Sequence, residues 1–154
     1  MQSDSKQDRR SSANPHIDHM LAERKELLSL YLELSKLNPD NIDTLDEELL
    51  GEFCQVLVDY IAAGHFSLYD RIASGKERRQ VVSELADKIY PMIEESTRIA
   101  LHFSELYNSE NKSKELSHIT LHLSKLGEHL TSRIEHEDRL ISCIMSTVRK
   151  EAIP

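Results

Sequence analysis

Apolar residues recur three or four positions apart along most of the chain, which is the spacing of one face of an α-helix. The first such region extends from residue 16 to about residue 37, where an Asn-Pro pair ends it. A second extends from Thr44 to about residue 74. Thr44, with Glu47 three residues later, predicts a capping box at its start, and Gly75 predicts a C-cap at its end.

Two further helical regions are predicted at residues 77–107 and 113–149. Pro91 lies inside the third region, and because proline removes a helical hydrogen bond we expect a kink or a break near Tyr90. Positions that the pattern predicts to be buried include Leu21, Leu28, Leu32, Leu45, Phe53, Val81, Ile89, Met92, Leu123, Leu126 and Leu130.

Four helical regions joined by short loops, with no strand-like alternation, predict an all-α protein. The expected architecture is an antiparallel up-down four-helix bundle, kinked at Pro91. The chain has 154 residues, enough for one domain with a sizeable core. We expect a disordered polar tail at residues 1–15 and a single helical-bundle domain at residues 16–150.

The charge balance limits the classes of partner. The chain carries 27 acidic and 19 basic residues, for a net charge of −8. This argues against direct nucleic-acid binding, which needs clustered Lys and Arg, and is compatible with a basic protein partner. Solubility alone also explains an acidic surface.

The cysteines and the hydropathy indicate the cellular compartment of the protein. Cys54 and Cys143 fall in apolar helical patterns and predict buried thiols in a reducing compartment. The amino-terminal residues lack an apolar run, and no stretch has the 18 or so apolar residues of a membrane span. We expect a cytoplasmic protein.

Metal binding is the first chemical hypothesis. His118 and His122 are four residues apart and share a helical face, and Glu115 with His118 repeats the Glu-x-x-His spacing of di-iron carboxylate bundles. Such a site needs two of these units, and one is present. His118, His122, His129 and His136 form a stripe beside the leucine seam, which favours a solvated face and no cofactor. A metal-binding bundle stays open as an alternative.

Catalysis has little support in the sequence. The chain has no Gly-rich phosphate loop, no G-x-S-x-G and no C-x-x-C motif. His65 and Ser67 are two residues apart in a predicted helix, so they point to different faces and do not form a base–nucleophile pair. We therefore expect a binding protein rather than an enzyme.

The segment FCQVLVDYIAAGHFSLYDRI, residues 53–72, carries polar and small residues inside a predicted core helix. A second face, separate from the leucine stripe, consists of Asp59, Ala62, Ala63, Phe66 and Asp70. A phenylalanine anchor beside small residues and two acids predicts a docking strip for a partner. Alternatively, residues 62–64 admit a neighbouring helix of the same bundle and Phe66 belongs to the core.

This segment closely resembles the signature of the Rsd/AlgQ family of bacterial anti-sigma factors, the regulators of sigma D. The matching stretches are FCQ at residues 53–55, LVDY at 57–60 and AGHFS at 63–67. IYPMIEEST and LSKLGEHLTSRIEHEDRLI resemble the family's middle segment and last helix. In the first helix, Asp18-His19-Met20-Leu21 stands where familiar members have Asp-Arg-Trp-Leu.

The resemblance implies an all-helical bundle that sequesters the carboxy-terminal domain, region 4, of the primary sigma factor. That domain is a basic helix-turn-helix module, and its capture would favour alternative sigma factors. In the implied interface Asp59 pairs with a sigma arginine and Phe66 fills an apolar pocket. The remaining implied contacts come from Ala63, Gly64, His65, Ser67 and Asp70 on the second helix, and from Asp18, Leu21 and Arg24 on the first.

Other partners are compatible with the same resemblance. A regulator of this fold that binds the phosphocarrier of the sugar phosphotransferase system, or a stringent-response enzyme, is the alternative; a monomer or weak dimer is expected. Glu137 falls on the seam of the last helix, where a buried acid needs a partner. Arg133, one turn earlier, is predicted to form an ion pair with it, with partner binding as the alternative role.

Overall fold

The computed structural model describes residues 14–73, 77–108 and 116–152, and within these ranges it contains four long helices and no strand. The helices are α1 (Pro15–Leu34), α2 (Thr44–Gly64), α3 (Gln80–Tyr107) and α4 (Ile119–Ala152). A π-helical turn, His65–Tyr69, continues α2 and is followed by one α-helical turn, Asp70–Ala73. A 3-10 turn, Leu116–His118, precedes α4. The predicted all-α class and four-helix bundle are confirmed.

The helix starts differ slightly from the predicted ones because of their capping residues. Helix α1 begins at Pro15, where the side chain of Asn14 accepts a hydrogen bond from the backbone N–H of Ile17 at 3.3 Å. The capping box of α2 is formed by Asp43 and Asp46, one residue before the predicted pair. Each aspartate side chain accepts from the backbone N–H of the other, at 2.8 and 3.1 Å.

Some sequence-based predictions fall outside the described residues. These are most of the polar tail, the C-cap at Gly75, the start of the last helix at Ser113, and the Glu115 half of the Glu-x-x-His spacing. The third helix starts at Gln80, three residues later than predicted.

Contacts between α1 and α4 follow the order expected of antiparallel neighbours in an up-down bundle. Arg24 of α1 reaches Asp138, whereas Tyr31, two turns later in α1, donates to the carbonyl of Leu123, earlier in α4. Helix α3 is continuous through Pro91, so a break near Tyr90 is wrong. Proline removes one hydrogen bond, and the buried side chains of α3 hold the helix on both sides of it. A kink at Pro91 stays a prediction.

The core is a layer of aliphatic and aromatic side chains shared by the long helices. Phe53 of α2 lies between Tyr31 and Phe103, with ring centroids 6.2 and 5.8 Å away. Six positions predicted to be buried are exposed instead: Leu21, Leu28, Leu32, Leu45, Val81 and Met92. A bundle helix buries a stripe about 100° wide, and these residues lie outside it.

The π-turn changes the phase of the second helix. The N–H of Asp70 bonds to the carbonyl of His65, five residues back, so the turn holds one residue more than an α-helical turn. In a regular helix, at about 100° per residue, Tyr69 would point about 160° away from the direction of Phe53. Tyr69 is instead buried. The extra residue therefore turns Tyr69 towards the core, whereas Phe66, within the turn, stays exposed.

No helix in the described part of the chain is both long and apolar enough to cross a membrane.

Candidate protein-docking site

Phe66 is the most prominent apolar side chain of the predicted site. It lies on the π-turn with 67% of its surface exposed, and its ring meets the His65 ring edge-to-face at 5.3 Å. The alternative that Phe66 belongs to the core is therefore wrong. An exposed phenylalanine on a helical turn has the properties of an interface anchor.

Phe66 stands at the rim of a groove of about 670 Å³ between α2 with its π-turn and α3, hereafter the docking groove. One wall is formed by Val58, Ala62 and Phe66, and the other by Tyr90, Thr97 and Leu101. The α3 wall was not among the predicted site residues. Its positions follow helical spacing, but nothing in the sequence shows which helix lies opposite them.

Two carboxylates provide negative charge near the groove: Glu94, which lines it, and Asp59, which follows the lining residue Val58 in α2. Both are exposed; Asp59 accepts from the amide of Gln55 at 3.1 Å, and a hydrogen bond with Glu94 raises the pKa of Tyr90. Within the described part of the chain neither carboxylate forms an ion pair. Arg98, also at the groove, is paired with Glu95 at 2.5 Å.

The first turn of α1 borders the π-turn on its other side. The hydroxyl of Ser67 donates to the backbone carbonyl of His16 at 2.7 Å. Leu21 is partly exposed, and Asp18 is half-buried, with one carboxylate oxygen that has no partner among the described residues. His65 and Asp70 are exposed. The π-turn moves Asp70 by about 100° from the direction it would share with Asp59 in a regular helix, which interrupts the predicted strip.

Three predicted site residues lie inside the bundle. Ala63 and Gly64 are buried, and a Cβ on Gly64 would stand 2.9 Å from Oε2 of Glu137. The interpretation of Gly64 as an opening for a partner is therefore corrected, because the close approach is to this chain's own α4. Arg24 is also buried, with its guanidinium held by Glu137 and Asp138 at 3.2 and 2.6 Å.

Beneath the surface, Arg24, Tyr60, Arg133 and Glu137 form a core ion cluster. Glu137 is fully buried and accepts from Nη2 of Arg24 at 3.2 Å, from Nε of Arg133 at 3.1 Å and from the hydroxyl of Tyr60. The predicted pair of Arg133 and Glu137 is confirmed. The sequence did not predict that Arg24 and Tyr60 also contact Glu137, since only the fold brings α1 and α2 against this residue.

The cluster links all four long helices. Nη1 of Arg133 donates to the hydroxyls of Ser96 and Thr97 in α3 at 3.1 and 2.7 Å. Both guanidinium groups of the cluster lie about 6 Å from the centroid of the Tyr60 ring. Burial, together with the charge of Glu137, raises the pKa of Tyr60 and of Tyr69, so both phenols stay protonated.

Of the two departures from the first-helix run of the family that the sequence resembles, one falls in the core. Met20, at the position where familiar members have tryptophan, is fully buried, and its sulfur lies 3.6 Å from where a Gly64 Cβ would stand. His19 is exposed and lies 3.8 Å from Glu23. Met20 therefore packs inside the bundle next to Gly64, away from the surface.

The histidine stripe of the last helix is partly buried. Nδ1 of His122 lies 2.5 Å from the Tyr107 hydroxyl, and the rings of His118 and His122 are 6.0 Å apart. Nδ1 of His136 is buried without a partner among the described residues. Those residues contain no cluster of three or more His, Cys, Asp or Glu that could hold a metal ion.

Residues 1–145 match the family described as "Regulator of RNA polymerase sigma(70) subunit, Rsd/AlgQ". A protein named "Regulator of sigma D" from Shigella dysenteriae serotype 1 (strain Sd197) is 34% identical over 152 residues, covering 96% of this chain and 95% of that protein. The protein of the same name from Escherichia coli (strain K12 / DH10B) has the same identity and coverage. Both similarities extend over nearly the whole chain.

Proposed function

Because this chain belongs to the Rsd/AlgQ family of regulators of the RNA polymerase sigma(70) subunit, we propose that it is a non-catalytic anti-sigma factor that binds region 4, the carboxy-terminal domain of the primary sigma factor. The observation that carries the proposal is the exposed Phe66 at the rim of an apolar groove, with the exposed Asp59 next to the groove residue Val58 in α2. An apolar anchor flanked by unpaired carboxylates suits a basic protein surface.

The effect on transcription follows from mass action. Region 4 is a basic module that contacts promoter DNA and core polymerase, and an acidic protein that covers it lowers the amount of sigma free to bind polymerase. Alternative sigma factors then compete better for the same polymerase. The net charge of −8 also speeds the encounter with a basic partner at low ionic strength.

Surface and buried residues have different parts in this proposal. Phe66 is the anchor, Asp59 pairs with a basic side chain, and His65, Ser67 and Asp70 surround the anchor. Leu21 and Asp18 contribute from α1. Arg24, Ala63 and Gly64, implied as contacts by the family resemblance, act from inside the bundle by holding α1, α2 and α4 together.

The test is calorimetric titration of the full chain with region 4 from the same organism, at low and high salt. We expect a Kd in the micromolar range or tighter that weakens with salt, because screening reduces attraction between exposed charges. Phe66→Ala should weaken binding by about tenfold or more. The matched control is Leu121→Ala, since Leu121 of α4 is equally exposed, at 68%, but is not among the residues lining the groove.

Asp59→Asn tests how much the charge of the Asp59 carboxylate contributes to the binding of region 4. It should weaken binding and reduce its dependence on salt, because the amide keeps the shape of the side chain and removes the carboxylate charge. No binding of region 4 at either salt concentration would overturn the proposal, and the sugar phosphocarrier would be the next partner to titrate.

A further inference from the structure

The docking groove has about the length needed to receive three turns of one α-helix. Its α3 wall follows Tyr90, Glu94, Thr97 and Leu101, which are four, three and four residues apart and share one helical face. These eleven residue steps span about 16 Å, or three helical turns. The α2 wall, Val58, Ala62 and Phe66, advances in steps of four and is a similar stripe.

Apolar surface is available along both walls. Phe66, Tyr90 and Leu101 are each exposed by two fifths or more, whereas Ile61 and Ile93 are buried and close the floor. Ala62, with its small side chain, leaves room between the larger ones. A groove that exposes this much apolar surface between two helices is the usual receptor for the apolar face of a third.

The charges beside the groove indicate which charged residues a bound helix should carry. Asp59 on the α2 side and Glu94 on the α3 side form no ion pair in the described part of the chain. The two arginines at the groove are already neutralised, Arg98 by Glu95 and Arg133 by Glu137. Glu94 lines the groove, and Asp59 is exposed next to the lining residue Val58 in α2, so each of the two helices carries a carboxylate without an ion pair. This arrangement complements a helix with basic residues on both sides of its apolar stripe.

On the basis of the proposed function, we infer that the docking groove receives one amphipathic, basic-flanked helix of region 4, and that Glu94 and Leu101 of α3 form half of the interface. Apolar side chains of that helix at positions i, i+3 or i+4, and i+7 enter the groove between Phe66 and Leu101. Lys or Arg side chains on its two edges pair with Asp59 and Glu94.

Two substitutions in α3, each with a matched control, test the inference by titration with purified region 4. Leu101→Ser and Glu94→Lys should each weaken binding by about tenfold or more. Leu121→Ser, at an exposed leucine of α4, and Glu105→Lys, at an exposed glutamate of α3 that does not line the groove, should bind within about twofold of the unaltered chain. Thermal unfolding of all four variants establishes that they are folded.

A measurement on region 4 shows whether the segment that enters the groove is a helix. A spin label on Leu101→Cys, in a Cys143→Ser background, should broaden amide signals of isotope-labelled region 4. The affected residues should recur at three- and four-residue steps in one helix, since only one face of the helix approaches the label. Broadening confined to a loop would overturn the inference.

The remaining outcomes separate this inference from the proposed function. If the unaltered chain binds region 4 and the α3 variants bind equally well, the groove is not the site while the anti-sigma function stands. If the unaltered chain does not bind region 4, both are overturned. A self-associated dimer that Leu101→Ser dissociates, with unchanged affinity for region 4, would assign the groove to a second copy of this chain.

Discussion

Oε2 of Glu137 lies 2.9 Å from the point where a Cβ on Gly64 would stand, and Nη2 of Arg133 lies 3.3 Å from it. Glycine in a helix interior costs about 1 kcal/mol relative to alanine. Here it lets the backbone of α2 reach the core ion cluster. The carboxylate does not swing away freely, because Arg24, Tyr60 and Arg133 all donate to it.

Gly64→Ala should therefore lower the free energy of unfolding by about 1–3 kcal/mol, as overpacking in a core typically does, despite the better helix propensity of alanine. Gly51→Ala is the matched control in the same helix, since nothing lies within 4 Å of the added Cβ. It should raise the free energy of unfolding by about 0.5–1 kcal/mol. Denaturant unfolding measures both, and equal effects would contradict the steric argument.

Glu137→Gln should destabilise the protein strongly, by about 3–5 kcal/mol, because it leaves two guanidinium groups inside the bundle without their shared carboxylate. Asp138→Asn is the comparison, since Asp138 also pairs with Arg24 but is 55% exposed. Its loss should be about 1 kcal/mol or less. Urea unfolding at neutral pH gives both values, and a small loss for Glu137→Gln would show that the cluster contributes little to stability.

Replacement of Phe53 should destabilise the protein far more than replacement of Phe66. Phe53→Ala empties the centre of the core and should lower the free energy of unfolding by about 3–5 kcal/mol. Phe66→Ala removes a mostly exposed ring and should change it by less than about 0.5 kcal/mol. Thermal and denaturant unfolding measure this difference. A large loss for Phe66→Ala would mean that the ring packs against the bundle in solution.

Stability should fall in alkaline solution. Burial raises the pKa of the Cys54 thiol from its ordinary 9.0 to about 12, so the folded state holds this proton more tightly than the unfolded chain. The resulting stabilisation is complete below about pH 9 and is lost as the pH rises towards 12. The slope is at most about 1.4 kcal/mol per pH unit for such a group.

The measurement is the free energy of unfolding from pH 8 to pH 11, about the window in which the thiol titrates in the unfolded chain only. Cys54→Ala should be less stable throughout but should lose stability less steeply with pH. Burial also raises the pKa of Tyr60 and Tyr69, so these two phenols should still cause part of the loss of stability at alkaline pH in the Cys54→Ala variant. Identical slopes with and without Cys54 would refute its contribution.

Much of the fold follows from local patterns in the sequence. The four helices were predictable because apolar positions three and four residues apart leave a helix one face to bury, and the last seam, Leu123, Leu126 and Leu130, is buried as expected. The ion pair of Arg133 with Glu137 was also predictable, since both lie one turn apart on one helix and a buried carboxylate needs a cation.

The π-turn was not predicted, although the sequence holds a trace of it. From Tyr60 the inward positions continue at Gly64, Leu68 and Ile72, and repeated steps of four drift away from the 3.6-residue period of a regular helix. A straight helix that tilts across the core would give a similar pattern. Only packing against the other helices decides between them, by burying Tyr69.

The sequence by itself determined the helical class, the approximate extent of each helix and the family, because these depend on local spacing and on residue identity. The tertiary structure alone decided that Gly64 faces Glu137, that Arg24 is buried with it, and that α3 supplies the second wall of the docking groove. These relationships join residues up to 113 positions apart. Helix periodicity fixes which side chains share a face, but which faces meet depends on how all the helices fill one core.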